Sequence, residues 1–375
     1  MTRDSASEGV DPLLEATAAL VPALLVALEA LAHAARHLHP PHLAAVVATL
    51  DGIDEPLTSG HDVFMRTEWP EHLIAFRDRM NDASGAATRA LRGLRDSVDD
   101  PNGVLKAYRS MRQTTLALEA LYPVAQSFPP LSRFYVDPAF RDDAALLERV
   151  RAGDGSRDDV GVMYGENTRE QRGGVSLYVP EYYEATRAWP LVIALHGGSG
   201  HGRDFLWTWL REARTRGAII AAPTARGDTW SLMGPDIDAS RLNDLVQRIC
   251  GHWNIDRSRV LLTGMSDGGT YAYVAGLRAN VPFTHLAPIS GTFHPLLLDG
   301  ADRERLNGLP IYLVHGALDW MFPVEIARMA RDALRATGAD VIYREIADLS
   351  HTYPREENMR ILEWLLRPGV ADVAP

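Results

Sequence analysis

The chain has 375 residues, 46% of them hydrophobic and 23% charged, with a formal net charge of −11 at pH 7. Apolar material for a core is ample, and because single cores stop growing at roughly 250–300 residues, two domains are expected. The acidic balance argues against nucleic acid and against an anionic membrane surface, since phosphate-rich partners need a basic patch.

Residues 1–155 carry almost no strand signal. Asp11-Pro12 is a helix start with proline at the first helical position. The run "LLEATAALVPALLVALEALA" is apolar, but Glu15, Pro22 and Glu29 interrupt it, and the flanks of a signal peptide are not met. A buried amphipathic helix is expected there, with no stable membrane insertion. Further on, "EHLIAFRDRM", "ATRALRGLRDSV" and "GVLKAYRSMRQTTLALEALYPV" repeat apolar residues at three- and four-residue spacing. Pro40-Pro41, Asp100-Pro101 and Pro129-Pro130 punctuate them. An N-terminal helical domain of four to six helices follows, a cap, scaffold or oligomerisation unit. His33, His37, His39 and His42 cluster within it, the first two on one helix face. No carboxylate or cysteine accompanies them, and histidine near a helix carboxyl end also suits the dipole, so no metal is expected.

From residue 156 to 375 the grammar changes. "VGVMYGE" and "GVSLYVPE" read as paired strands. The short apolar runs "PLVIALHG", "AIIAAPTA", "RVLLTGMS", "THLAPISG", "PIYLVHG" and "DVIYREI" then alternate with helical patterns. That alternation predicts a mostly parallel sheet with helices on both faces, an α/β domain. Cys250, the only cysteine, ends one of these helical stretches. It forbids an intramolecular disulfide and reads as a packing residue, and with it a cytoplasmic protein is expected.

In such sheets function gathers where strands end. Gly264-Met265-Ser266-Asp267-Gly268 fits Gly-x-Ser-x-Gly between a strand and a helix. A serine hydroxyl attacks only when a base takes its proton, so a histidine and an orienting carboxylate should follow in the order Ser, acid, His. Asp319 follows "IYLVHG" and His351 follows "VIYREI". His315 lies still within its strand and His294 comes too early; Asp348, close to His351, remains an alternative acid. The glycine-rich "HGGSG" offers the N–H of Gly198 as one donor to a developing oxyanion, and Asp267 offers the other. That loop lacks the Gly-Lys-Ser/Thr ending of a phosphate cradle. Trp230, in the loop "RGDTWSLMGPD", either lines the pocket or simply packs, and Trp320 with Phe322, flanking Asp319, are candidate pocket residues; Trp207 and Trp209 read as core or domain contacts.

With "LHGGSG", "GMSDGG", "VHGALDWMFP" and "SHTYPREE" the C-terminal 220 residues or so resemble an α/β-hydrolase, most similar to the phospholipase/carboxylesterase (acyl-protein thioesterase-like) group. The resemblance implies a serine esterase acting on a small-molecule ester. Ser266 would be nucleophile, Asp319 acid, His351 base, and Gly198 and Asp267 oxyanion donors, with no cofactor or metal. A thioesterase or peptidase of the same fold is an alternative, as is a hydrolase-like binding protein without turnover. Members of that group often carry Gln after the serine. Asp267 replaces it here, so its carboxylate is expected to turn away from the oxyanion. The first 155 residues have no counterpart in the group; their apolar stripes need the hydrolase surface or a second copy of the chain to bury against.

Overall fold

The computed structural model describes residues 11–367. The chain divides into two compact units, Met1–Leu131 and Ser132–Pro375. The division precedes residue 155, where the helical grammar ends. The helix Ala144–Ala152 explains the difference: Val136, Leu146 and Val150 form a small buried cluster with Phe140, Leu147 and Tyr182, and Tyr182 belongs to the sheet unit. Helical periodicity says that a segment is a helix, not which core it covers.

In the helical unit, Pro12–His37 is capped by Asp11, whose carboxylate accepts the Leu13 N–H at 2.9 Å. By length and composition this helix could cross a bilayer. Leu20, Leu24, Leu28 and Leu31 are nevertheless buried along one side, at the spacing of a helix seam, and the helix packs on Asp54–Arg66 and Ile74–Arg95. The helices Ile74–Arg95 and Gly103–Ala125 pack closely: a Cβ on Gly93 would lie 2.2 Å from Ser110 Oγ, and Ala83, Ala87, Ala90, Ala107 and Ala117 of the two helices are fully buried. Small side chains let the two backbones approach. Arg95 grips Asp54 with two hydrogen bonds, 2.7 and 2.9 Å, tying two of these helices together.

The sheet unit has eight strands: β1 Gly161–Gly165, β2 Val175–Val179, β3 Trp189–Leu195, β4 Ile219–Pro223, β5 Ile255–Met265, β6 His285–Ile289, β7 Pro310–Gly316 and β8 Asp340–Ile346. Their order is β1-β2-β4-β3-β5-β6-β7-β8. β1 and β2 join antiparallel, β2 meets β4 antiparallel, and every other pairing is parallel. Every residue of β3 and β4 is buried, so both faces of the central sheet are covered, which is why these strands read as continuous apolar runs rather than alternating ones. The expected α/β architecture, a mostly parallel sheet preceded by an all-helical region, is the one observed.

This strand order positions the site. From β3 the chain turns to β4 on one side, and from β5 it proceeds outward on the other, so the strand order reverses between β3 and β5. Loops leaving the carboxyl ends of these two strands diverge and open a crevice. The loop at 196–200 leaves β3, and Ser266 directly follows β5.

Candidate active site

Ser266 occupies the single step between β5 and the helix Asp267–Gly276. Its backbone is left-handed, φ 56° and ψ −121°, a region that side chains other than glycine seldom adopt. The turn is held at both ends: the Ser266 N–H donates to Ile289 O at 3.0 Å, and its carbonyl accepts the Thr270 N–H at 2.9 Å. The two flanking glycines are sterically required. A Cβ on Gly264 would lie 2.5 Å from the Gly268 carbonyl carbon, and one on Gly268 would lie 2.4 Å from Leu195 O.

Two loops bring the partners. His351 Nε2 is 3.0 Å from Ser266 Oγ, and His351 Nδ1 is 2.9 Å from Asp319 Oδ2 and 3.1 Å from Oδ1. A carboxylate only accepts, so Nδ1 carries the proton and the Nε2 lone pair faces the hydroxyl. Asp319 Oδ1 also accepts the N–H groups of Met321 (3.0 Å) and Phe322 (2.9 Å). Burial acts to raise the Asp319 pKa, but the hydrogen bonds from His351 and Phe322 outweigh it and hold the carboxyl below its ordinary value. All three side chains are buried, with exposures of 9% for Ser266, 7% for Asp319 and 5% for His351. A hydroxyl, an imidazole and an ionised carboxylate in this sequence can move a proton off the hydroxyl as it attacks.

Asp348 is exposed, while the Nδ1 of His351 faces Asp319. His294 caps a short turn by accepting the Leu296 N–H and is exposed.

The loop after β3 is braced by groups that sequence reading did not single out. His196 is buried, its Nε2 accepts the Ala225 N–H at 3.1 Å, and its Nδ1 donates to Gly197 O at 2.7 Å. This pattern needs the neutral ring, and burial drives the His196 pKa down to about 3. Arg172 donates to Gly200 O (2.6 Å) and to Gly227 O (2.6 Å), pinning this loop to the one after β4. Trp230 is only 3% exposed; its indole N–H donates to His196 O at 2.7 Å and its ring stacks on Tyr271, centroids 5.5 Å apart. That is a packing position beneath the loop. Phe322 stands edge-on to the His351 ring at 5.3 Å, and Trp320 is 47% exposed.

Asp267, first in its helix, has an N–H without an acceptor inside that helix. Its carboxylate does not turn away from the glycine loop. Oδ2 accepts the Thr229 hydroxyl at 2.6 Å and lies 2.8 Å from where a Cβ on Gly198 would stand. The threonine on the neighbouring loop draws it there, a long-range partner that the local motif does not reveal.

Elsewhere, Cys250 is half-buried, and burial raises its thiol pKa. The rings of His33 and His37 lie 4.2 Å apart, with His37 Nδ1 bonded to His33 O. Among the described residues no group of three or more His, Cys, Asp or Glu side chains could hold a metal ion.

Residues 236–367 match the family described as Phospholipase/Carboxylesterase. A bifunctional acetylxylan esterase/xylanase of Neocallimastix patriciarum is 28% identical over 157 residues, 40% of this chain. The match spans only 22% of that relative's own length. Among solved structures, a thermostable esterase is 23% identical, with a TM-score of 0.45, over 56% of this chain and 62% of its own. An S-formylglutathione hydrolase from Agrobacterium tumefaciens is 18% identical, with a TM-score of 0.43, over 54% of this chain and 93% of its own. The strand order, together with the family match over residues 236–367, gives the sheet unit the α/β-hydrolase fold.

Proposed function

We propose that this protein is a serine carboxylesterase that hydrolyses small-molecule esters in two acyl-transfer steps. The supporting observation is the buried line of hydrogen bonds from Asp319 through His351 to Ser266 Oγ, 2.9 and 3.0 Å long. The match to a phospholipase/carboxylesterase family and the acetylxylan esterase relative support an ester as the substrate class. Ser266 Oγ attacks the ester carbonyl while His351 Nε2 takes its proton. The oxyanion is met by the N–H groups of Gly198 and Asp267. His351 then returns the proton to the departing alcohol. Water, deprotonated by the same imidazole, releases the acid and frees the serine. Asp319 keeps the imidazole in the productive tautomer and stabilises its charged form.

The test is a panel of p-nitrophenyl esters of graded chain length, with a thioester and an aminoacyl amide alongside, combined with labelling by a fluorophosphonate. Turnover of the esters with label on Ser266 is expected. Label on Ser199 or Ser290 would remove Ser266 as nucleophile. One acyl group retained on Ser266 without turnover would mark a binding protein.

A further inference from the structure

Four residues before Asp319 lies a second histidine that the triad does not use. His315, the penultimate residue of β7, is completely buried. Its Nε2 is 2.8 Å from the carbonyl oxygen of Phe322 and 3.6 Å from Asp319 Oδ2. A carbonyl only accepts, so Nε2 carries the proton, and Nδ1 is then a bare lone pair. That Nδ1 is buried and has no hydrogen-bond partner. Protonating it would place a charge where nothing receives it, and burial holds the His315 pKa down against the opposing pull of the Phe322 carbonyl and Asp319. The charged or titratable groups acting on the ring are Asp319, His351 and Glu345. His315 is therefore a neutral, single-tautomer donor.

What it donates to matters more than its burial. Phe322 is held from both sides: its N–H donates to Asp319 Oδ1, its carbonyl accepts from His315, and its ring packs edge-on against the imidazole of His351. The segment 316–322 is otherwise tied by the N–H groups of Ala317 and Leu318, which donate to Ile346 O and Leu349 O at 2.9 Å each. Those bonds hold the start of the turn. His315 holds its end, where the carboxylate receives its backbone donors. The same ring nitrogen lies 3.6 Å from Asp319 Oδ2, near enough to act electrostatically on the oxygen that accepts the shorter His351 hydrogen bond.

We infer that His315 is a positioning residue for the Asp319–His351 pair, fixing the turn 319–322 through Phe322 and tempering the basicity of the Asp319 carboxylate. This rests on reading Ser266, His351 and Asp319 as the acyl-transfer triad. Without the imidazole, the turn loses its anchor and Asp319 Oδ2 loses the second of its two neighbouring imidazole N–H groups. The His351 imidazolium would be better stabilised electrostatically but worse aligned with Ser266.

The experiment compares His315→Leu and His315→Gln in the full chain; the glutamine amide can still donate toward the Phe322 carbonyl. Hydrolysis of p-nitrophenyl acetate is followed from pH 5 to 9. The low-field proton resonance of the His351–Asp319 hydrogen bond is recorded on the same samples, with the melting temperature. His315→Leu is expected to lower kcat about 10²-fold with little change in KM, as misalignment by an ångström does. It should also move the acid limb of kcat/KM to higher pH and shift or broaden the resonance, and His315→Gln should recover most of the rate. A folded His315→Leu with wild-type kcat and an unchanged resonance would overturn the inference. So would equal losses in both variants that track equal drops in melting temperature, because packing alone would then explain them. If the wild type neither hydrolyses esters nor takes a fluorophosphonate, the triad reading fails, while the resonance still decides whether His315 governs the His351–Asp319 bond.

Discussion

The helical unit gathers four histidines between residues 33 and 42, whereas the sheet unit scatters His196, His315 and His351 over more than 150 residues. The clustered set pairs its rings, one pair tilted at 4.2 Å and the other edge-on at 5.2 Å, at exposed or half-buried positions. Each of the scattered three is buried and held by a specific partner: His196 between Ala225 and Gly197, His315 on Phe322, His351 between Asp319 and Ser266. Proximity in sequence is therefore a poor guide to chemistry. A carbonyl can fix one proton of a half-buried imidazole, as His33 O does for His37, but burial with a fixed partner also removes the competing water.

The comparison breaks first at the serine. Ser266→Ala should reduce ester turnover by a factor of about 10⁶, as loss of a triad serine does, while leaving the melting temperature near that of wild type. A variant that keeps more than a small fraction of the activity would mean that the buried histidine line is not the reaction path.

Next comes the carboxylate. Asp319→Asn should cost about 10⁴-fold in kcat, because an amide can present its N–H to His351 Nδ1 and favour the wrong tautomer. Asp348→Asn, at an exposed position, should leave kcat almost unchanged. Equal losses in the two variants would remove Asp319 from the triad.

The neutral His196 makes a smaller and purely thermodynamic prediction. Its folded-state pKa of about 3 lies below its ordinary 6.5, so the unfolded chain binds the proton first. Stability is intact above the unfolded value and falls as pH drops from there toward about 3. At pH 5 this single group should cost about 2 kcal/mol. His285, with a pKa lowered to about 4 by burial, acts in the same direction. Carboxylates with lowered pKa values, such as Asp319 and Glu357, lose their contribution at more acidic pH, which leaves the window from 6.5 to 5 to the histidines. Denaturant titrations at pH 7.5 and 5 with wild type and His196→Asn would measure it. An equal acid loss in both would show that His196 carries none of it.

The smallest effect sharpens the contrast from the other side. Replacing His33 and His37 together by Asn should change stability by no more than about 0.5 kcal/mol, the range of ordinary surface substitutions. Added zinc should not raise the melting temperature of wild type above that of the double variant. A zinc-dependent rise lost in the variant would show that the clustered histidines do form a site.

Much of this protein was legible in its sequence because the relevant forces are local. Hydrophobic periodicity depends on neighbours a few residues away, so the long helices Pro12–His37, Ile74–Arg95 and Gly103–Ala125 and the strands from β1 to β8 could be read directly, whereas the helix Asp54–Arg66 was not singled out. The turn at Ser266 was legible for the same reason: two obligatory glycines and a strand-to-helix junction are all within five residues. Tertiary structure decided what depends on distant partners. It set the 3.0 Å between Ser266 and His351, residues that are 85 apart in the chain. It turned the Asp267 carboxylate toward Thr229 and Gly198, and it buried Trp230 beneath the loop that follows β3. It placed the segment after Leu131 with the sheet, because a helix shows which face is apolar but not which core will cover it. And it made His315, which reads as one more residue of a buried strand, a neighbour of Asp319, since only the folded turn returns Phe322 and the carboxylate to the end of β7.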